Sequence, residues 1–276
     1  MSAAALSVCW GSLDGVEVLE FVKSAAGAGF TGVTLNTALY EDALASGLSA
    51  GDFRALLDDL GLRVTDIDPH FNWLPDSIAL EGDDVIARCT RATEREIFDL
   101  AHAVGTDLVN APPGLAMPDS EQQIIDGFGA LCDRAASEGL RVSLEFMPFS
   151  RVNNLELALR VVDAAGRANG GVMLDCWHHH RAGGSAADLL SARGDAIFAL
   201  QLDDALPEPM PDIMEETLNH RLLPGEGCID LPTYVSALRE IGAEPVYDVE
   251  VFKDSLRGLP AAERARQLYE SCRVVL

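Results

Sequence analysis

Residues 171–181 read Gly-Val-Met-Leu-Asp-Cys-Trp-His-His-His-Arg, a buried strand running directly into a cluster of polar side chains. Val172, Met173 and Leu174 form a short apolar run after the turn signal Gly170-Gly171, and Asp175 follows at once. A carboxylate in that position is costly unless it is paired or metal-bound. Taken one residue at a time, the stretch reads better as Asp175 capping the next helix, with His178, His179 and His180 as solvated loop residues. Three further strand-like segments end in the same fashion, and that shared pattern favours a common site.

Outward from this stretch, short apolar runs alternate with longer amphipathic segments from one end of the chain to the other. Alternation of this kind indicates α/β architecture with a parallel sheet. Strands are expected at 6–10, 32–36, 63–67, 107–111, 141–146, a segment ending at 175, 197–202 and 245–251. Helices are expected at 16–28, 50–60, 84–104, 120–137, 154–165, 186–192, 231–241 and 261–274. Gly29, Gly61, Gly105, Gly139 and Gly242 stand where helices should stop before strands. Eight strands and eight helices over 276 residues predict a single-domain (β/α)8 TIM barrel spanning 1–276. An open doubly wound sheet is the alternative, but no strand is followed by a GxGxxG or P-loop motif.

In such a barrel the chemistry lies at the carboxyl ends of the strands. Glu145 in Ser-Leu-Glu-Phe, Asp175, Gln201 in Ala-Leu-Gln-Leu and Glu250 in Asp-Val-Glu-Val end strands five to eight. Three carboxylates and an amide oxygen on neighbouring strands would repel one another without a cation, so a divalent metal is expected. An oxygen-only shell favours Mg²⁺ or Mn²⁺, with Co²⁺ or Zn²⁺ admitted if His178 turns inward. Salt bridges to core arginines are the competing explanation, weakened because strands five to eight carry only Arg141.

The segments Leu-Glu-Phe-Met-Pro (144–148), Leu-Asp-Cys-Trp-His (174–178), Gln-Leu-Asp-Asp (201–204), Arg-Leu-Leu-Pro-Gly-Glu-Gly-Cys-Ile-Asp-Leu (221–231) and Val-Glu-Val-Phe (249–252) resemble the xylose isomerase-like TIM-barrel superfamily. That superfamily includes ketose 3-epimerases, hydroxypyruvate isomerases, inosose dehydratases, dehydroshikimate dehydratases and apurinic endonucleases, so the resemblance leaves the reaction open. It implies that Glu145, Asp175 and Glu250 are metal ligands. Gln201 stands where the epimerases usually carry a histidine ligand. The resemblance also makes Glu145 and Glu250 the acid/base pair, and His178 and Arg221 contacts to substrate oxygens. Arg151 replaces a glutamate that contacts sugar in the epimerases, which suits an anionic substrate, or equally marks a surface arginine. Trp10, His70, Phe71, Trp73 and Asn110 lie at or just after strands one, three and four. Trp10 and His70 are expected to contact substrate, and core packing accounts for the aromatics as well. Residues 203–219, rich in proline, form either a lid or an oligomer contact.

Composition narrows the function classes. With 44 acidic against 20 basic residues and a formal charge of −24, nucleic-acid binding is disfavoured. Lys23 and Lys253 are the only lysines, which leaves Schiff-base chemistry little to work with. The six cysteines have no CxxC spacing, and there is neither a long apolar run nor a secretion signal at the start. A cytoplasmic protein acting on a small molecule, with no membrane partner and homo-oligomerisation open, is therefore expected. The leading expectation is an isomerase or epimerase moving a proton on a small hydroxyketone through a metal-stabilised enolate. A lyase expelling a β-hydroxyl from the same enolate, on a cyclic polyol ketone or hydroxy-keto acid, is the alternative. A catalytically silent ligand-binding barrel is a third.

Overall fold

The computed structural model describes residues 6–75, 77–114, 118 and 120–276. Eight parallel strands close in sequence order: β1 (Leu6–Val8), β2 (Gly32–Leu35), β3 (Arg63–Ile67), β4 (Leu108–Asn110), β5 (Arg141–Glu145), β6 (Gly170–Asp175), β7 (Ile197–Leu202) and β8 (Val246–Val249). Closure is made by β8 lying against β1, with Ser7 opposite Asp248 and Val8 opposite Val249. The expected barrel is therefore formed, and strands at 63–67 and 197–202 have the expected bounds.

Sequence chemistry accounts for the helix ends. The Val18–Ala28 and Glu94–Val104 helices stop at Gly29 and Gly105, whose φ values of 107° and 74° carry the chain into the left-handed region. Glycine adopts that conformation without a Cβ penalty. The single helix expected over 84–104 is instead two, Val85–Cys89 and Glu94–Val104. The break is made by a capping box in which Thr93 accepts from the Glu96 amide while the Glu96 carboxylate accepts from the Thr93 amide.

Four short helices fall where no helix was expected: Thr37–Ala45, Cys176–Arg181, Ile213–Asn219 and Asp254–Arg257. The second carries His178, His179 and His180, so these are helical residues rather than loop residues. Asp175 caps it by accepting from the His178 amide at 2.6 Å. Gly171, which opens the decisive stretch, lies under the Phe198 ring. A Cβ there would sit 2.6 Å from the ring carbons.

Helices pack outside the barrel around buried aromatics such as Phe21, Phe53 and Phe128. The inner face is different. Residues paired in register on neighbouring parallel strands share a face, and Asp175, Gln201, Asp248 and Ser7 form such a row across β6, β7, β8 and β1. The register between β2 and β3 also shifts, with Val33 opposite Val64 and Leu35 opposite Ile67, so β3 holds one extra residue. Polar side chains consequently line the barrel interior toward its carboxyl end. No helix among the described residues is long and apolar enough to cross a membrane.

Candidate active site

A cavity of about 300 Å³ opens over the carboxyl ends of the strands. Its floor is polar, made by Asp68, Glu145, His178, Arg221 and Glu250. Phe71, Ile78, Leu80, Ile86, Met147, Phe149, Met214, Leu218 and Phe252 make its walls apolar. A larger depression of about 930 Å³ lies on the outside, bordered by the Leu155–Ala165 helix and residues 179–191, away from these strand ends.

On the floor, Glu145, Asp175 and His178 each offer an atom within 4.8 Å of the others, the arrangement a metal ion needs. His178 Nε2 is 3.4 Å from Glu145 Oε1 and 3.8 Å from Asp175 Oδ2. Burial holds the imidazole down to a pKa of about 3, against the pull of Asp175, so the ring is neutral and can donate a lone pair. Burial, followed by the charges of Asp68 and Asp175, pushes Glu145 up to about 8. Burial also holds Glu250 well above the carboxylate range, opposed by Arg221 and reinforced by Asp68 and Glu145.

Gln201 is fully buried beside Asp175 in register, and neither its amide oxygen nor its nitrogen has a hydrogen-bond partner. An orphaned buried amide costs about 1–3 kcal/mol. A cation bound beside Asp175 would satisfy its oxygen. Glu145, Asp175 and His178, with the Gln201 amide in register beside Asp175, therefore offer donors that suit a divalent metal, whereas Glu250 groups with Cys9 and Asp68 instead.

Arg221 changes the charge balance of this floor. Its Nη1 donates to Asp175 Oδ2 and Asp203 Oδ2, each at 2.6 Å, and to Glu250 Oε2 at 3.1 Å. The competing explanation, core arginines paired with these acids, is thus partly realised. The arginine comes from the segment after β7, which a search of the strands alone overlooks. Burial opposes the charge of Arg221, but the three carboxylates outweigh it and raise its pKa. Burial likewise pushes Asp175 up, and there Arg221 and His178 prevail, keeping it below its ordinary value.

The other expected residues separate. Trp10 lines the cavity and donates from Nε1 to Asp68 Oδ2 at 3.2 Å. Asn110 lies between two acids, donating from Nδ2 to Asp68 Oδ1 at 2.7 Å and Glu145 Oε2 at 2.6 Å. His70 is fully buried outside the cavity lining, 3.7 Å from Glu94. Trp73 is a core residue, donating to the Pro112 carbonyl at 2.8 Å and packing edge-on against Phe128. Arg151 is exposed and does not line the cavity. The proline-rich segment supplies Met214, Thr217 and Leu218 to one wall.

Sequence reading missed Cys9, Asp68 and Asp203. Asp68 follows the apolar end of β3 and Asp203 lies two residues beyond Gln201. The same test that found Asp175 could have flagged both.

A closed parallel barrel with carboxylates converging at its strand ends is an acid-floored (β/α)8 protein of the kind that hosts small-molecule enzymes. The chain belongs to the xylose isomerase-like TIM barrel family, whose sequence profile matches residues 22–274. It is 31% identical over 266 residues to a 3-dehydroshikimate dehydratase of Pseudomonas aeruginosa, covering 94% of this chain and 40% of that protein. Over 148 residues it is 36% identical to an inosose isomerase of Bacillus velezensis, covering 53% of this chain and 52% of that protein. The chain thus spans about half or less of the length of these relatives. A crystal structure described as IolI protein with a binding zinc atom superposes with a TM-score of 0.83 at 23% identity, covering 98% of this chain and 97% of that one, a likeness of fold.

Proposed function

We propose that this chain is a divalent-metal-dependent enzyme that removes a proton beside the carbonyl of a small cyclic hydroxyketone and releases a neighbouring hydroxyl as water. The observation that carries this reading is the pair of nearly buried glutamates, Glu145 on β5 and Glu250 just beyond β8. Both are 6% exposed and lie on the polar floor of an otherwise apolar cavity. Glu145, Asp175 and His178, with Gln201 beside Asp175, would hold the cation, with Mn²⁺ or Mg²⁺ suited to the oxygen donors and Co²⁺ or Zn²⁺ admitted by His178. When bound it would supply Lewis-acid polarisation of the substrate carbonyl.

The chain's own groups account for the protons. Glu145, held near 8, is matched to accepting a proton from carbon close to neutral pH. Glu250, which burial also holds well above the carboxylate range, is the group placed to give a proton to the leaving hydroxyl. Neutral His178 flanks the floor and orients an oxygen, Trp10 lines the cavity with its N–H given to Asp68, and the apolar walls exclude water. Dehydration is preferred because such walls suit a ring that loses hydroxyls. A polyol would leave several hydroxyls unpaired against them. The dehydratase likeness, which runs through 94% of the chain, supports the same choice.

Isomerisation is the second reading, favoured by the inosose isomerase likeness over about half of the chain. It uses the same pair of glutamates, with the proton returned to carbon and no bond to oxygen broken.

The deciding experiment incubates Mn²⁺-loaded protein with cyclic hydroxyketones in deuterated water, following ultraviolet absorbance and mass together. Dehydration gives a conjugated product lighter by one water. Deuterium uptake without loss of water would move the assignment to isomerase. Neither signal, with metal bound and several substrates tried, would overturn the enzyme reading.

A further inference from the structure

Behind the Asp68 and Glu250 part of the cavity floor, the buried thiol of Cys9 stands among three acids. Its Sγ is 3.1 Å from Glu250 Oε1 and 3.6 Å from Asp68 Oδ2, and the donor atoms of all three residues lie within 4.8 Å of one another. Cys9 is fully buried, Asp68 is 4% exposed and Glu250 6%. A thiol has one hydrogen and cannot serve both carboxylates. Below them Asp248, two residues before Glu250 and on the same inward face of β8, is fully buried, and neither of its oxygens has a hydrogen-bond partner. Arg221 relieves only the far side of the cluster, since it reaches Oε2 of Glu250 and leaves Oε1 facing the sulfur.

We infer that Cys9, Asp68 and Glu250, with Asp248 behind them, form a second divalent-cation site for a borderline-soft metal of the Zn²⁺, Co²⁺ or Cd²⁺ class. It is separate from the Glu145–Asp175–His178 cluster and shares only the Glu250 carboxylate with the proposed function. A thiolate selects softer cations than the oxygen-rich first site does. The surroundings suit a ligated sulfur. The Gly11 amide points at Sγ from 3.4 Å, and Trp10 and Asn110 hold the two Asp68 oxygens in place, as outer partners of metal ligands do. Burial, then Glu250, Asp68 and Asp248, pushes the free thiol well above its ordinary pKa, so ligation must expel its proton. Asp68 and Glu250 line the cavity, which gives both metal and departing proton a route to solvent.

The test loads the metal-free full chain with Co²⁺ and reads stoichiometry together with the near-ultraviolet thiolate-to-cobalt charge-transfer band. Two equivalents with the band are expected. Cys9→Ser should lose the band and one equivalent, and Asp175→Asn should weaken the other equivalent and keep the band. Cys228→Ser controls for the exposed thiol that lies 3.4 Å from His180 Nε2 and should leave the band unchanged. If Cys9→Ser does not fold, Asp68→Asn makes the assignment, again through loss of the band. One equivalent without a band overturns this second site and leaves the proposed function standing, as does a band that survives both Cys9→Ser and Asp68→Asn. No bound cobalt at all overturns both.

Discussion

Arg221 Nη1 lies 2.6 Å from Asp175 Oδ2, and the same nitrogen holds Asp203 and Glu250. One guanidinium thus bridges three buried carboxyl groups, and Asp175 is the one it holds below its ordinary pKa. Breaking a buried ion pair from one side costs about 3–5 kcal/mol, because the remaining charge is left uncompensated. Arg221→Met should therefore lower the metal-free unfolding free energy by about that amount, and Mn²⁺ should restore part of it. Urea unfolding with and without Mn²⁺ measures both. A variant as stable as the wild type in the absence of metal would falsify the charge-balance argument.

Two groups on the floor give opposite pH dependences. Glu145 has its pKa raised from 4.5 to about 8, so it contributes stability that is full below about 4.5 and is lost as pH rises toward 8. His178 is lowered from 6.5 to about 3, so its contribution is present above about 6.5 and is lost as pH falls toward 3. Each contributes a slope of at most about 1.4 kcal/mol per pH unit. Chemical unfolding of metal-free protein across about pH 3 to 8, the two windows together, should show Glu145→Gln flattening the alkaline side. His178→Gln should flatten the acid side. Unchanged slopes in both variants would remove these residues from the pH account.

The residues that were legible from sequence share one property. Glu145, Asp175, Gln201 and Glu250 each follow an apolar run in their own strand, so a local pattern reveals them. Cys9 is visible only through closure of the barrel. Cys9 meets Glu250 across 241 positions of sequence, by way of the β1–β8 pairing. The resemblance implies that Arg221 contacts substrate, while its pairing with three acids depends on the path of the chain between β7 and β8. His70 follows β3 on the active side as expected, yet its ring packs toward Glu94 on the Glu94–Val104 helix. The direction of a side chain in a loop has no periodicity to reveal it.

The Ile213–Asn219 helix that walls the cavity is fastened from beneath by Glu216. This carboxylate is fully buried and accepts from Arg181, from Trp177 Nε1 at 3.2 Å and from the Met210 amide at 2.7 Å. Glu216→Ala strands Arg181, whose side chain is 6% exposed, at a cost of about 3–5 kcal/mol. The loss should be local. Hydrogen exchange is expected to accelerate at the amides of 210–219 and to remain slow in β5 to β8. Uniform acceleration across the barrel would mean that Glu216 supports the fold as a whole and not this wall in particular.

Gln201 offers the sharpest separation between a structural role and a metal-binding one, because the two predict opposite signs. Its amide is fully buried with both polar atoms unpartnered, flanked in register by Asp175 and Asp248. Replacing such a group with an apolar one of similar shape removes a desolvation cost of about 1–3 kcal/mol. Methionine has nearly the same length and flexibility. Gln201→Met should therefore raise the stability of metal-free protein by up to about that amount. A thioether is a poor ligand for Mn²⁺, so the same substitution should weaken Mn²⁺ binding measured by titration calorimetry. A glutamine kept only for the fold would behave differently, since its replacement would destabilise the metal-free protein and leave metal affinity unaltered. Stabilisation without metal combined with weaker binding is the outcome that a ligand role requires, and neither half suffices alone.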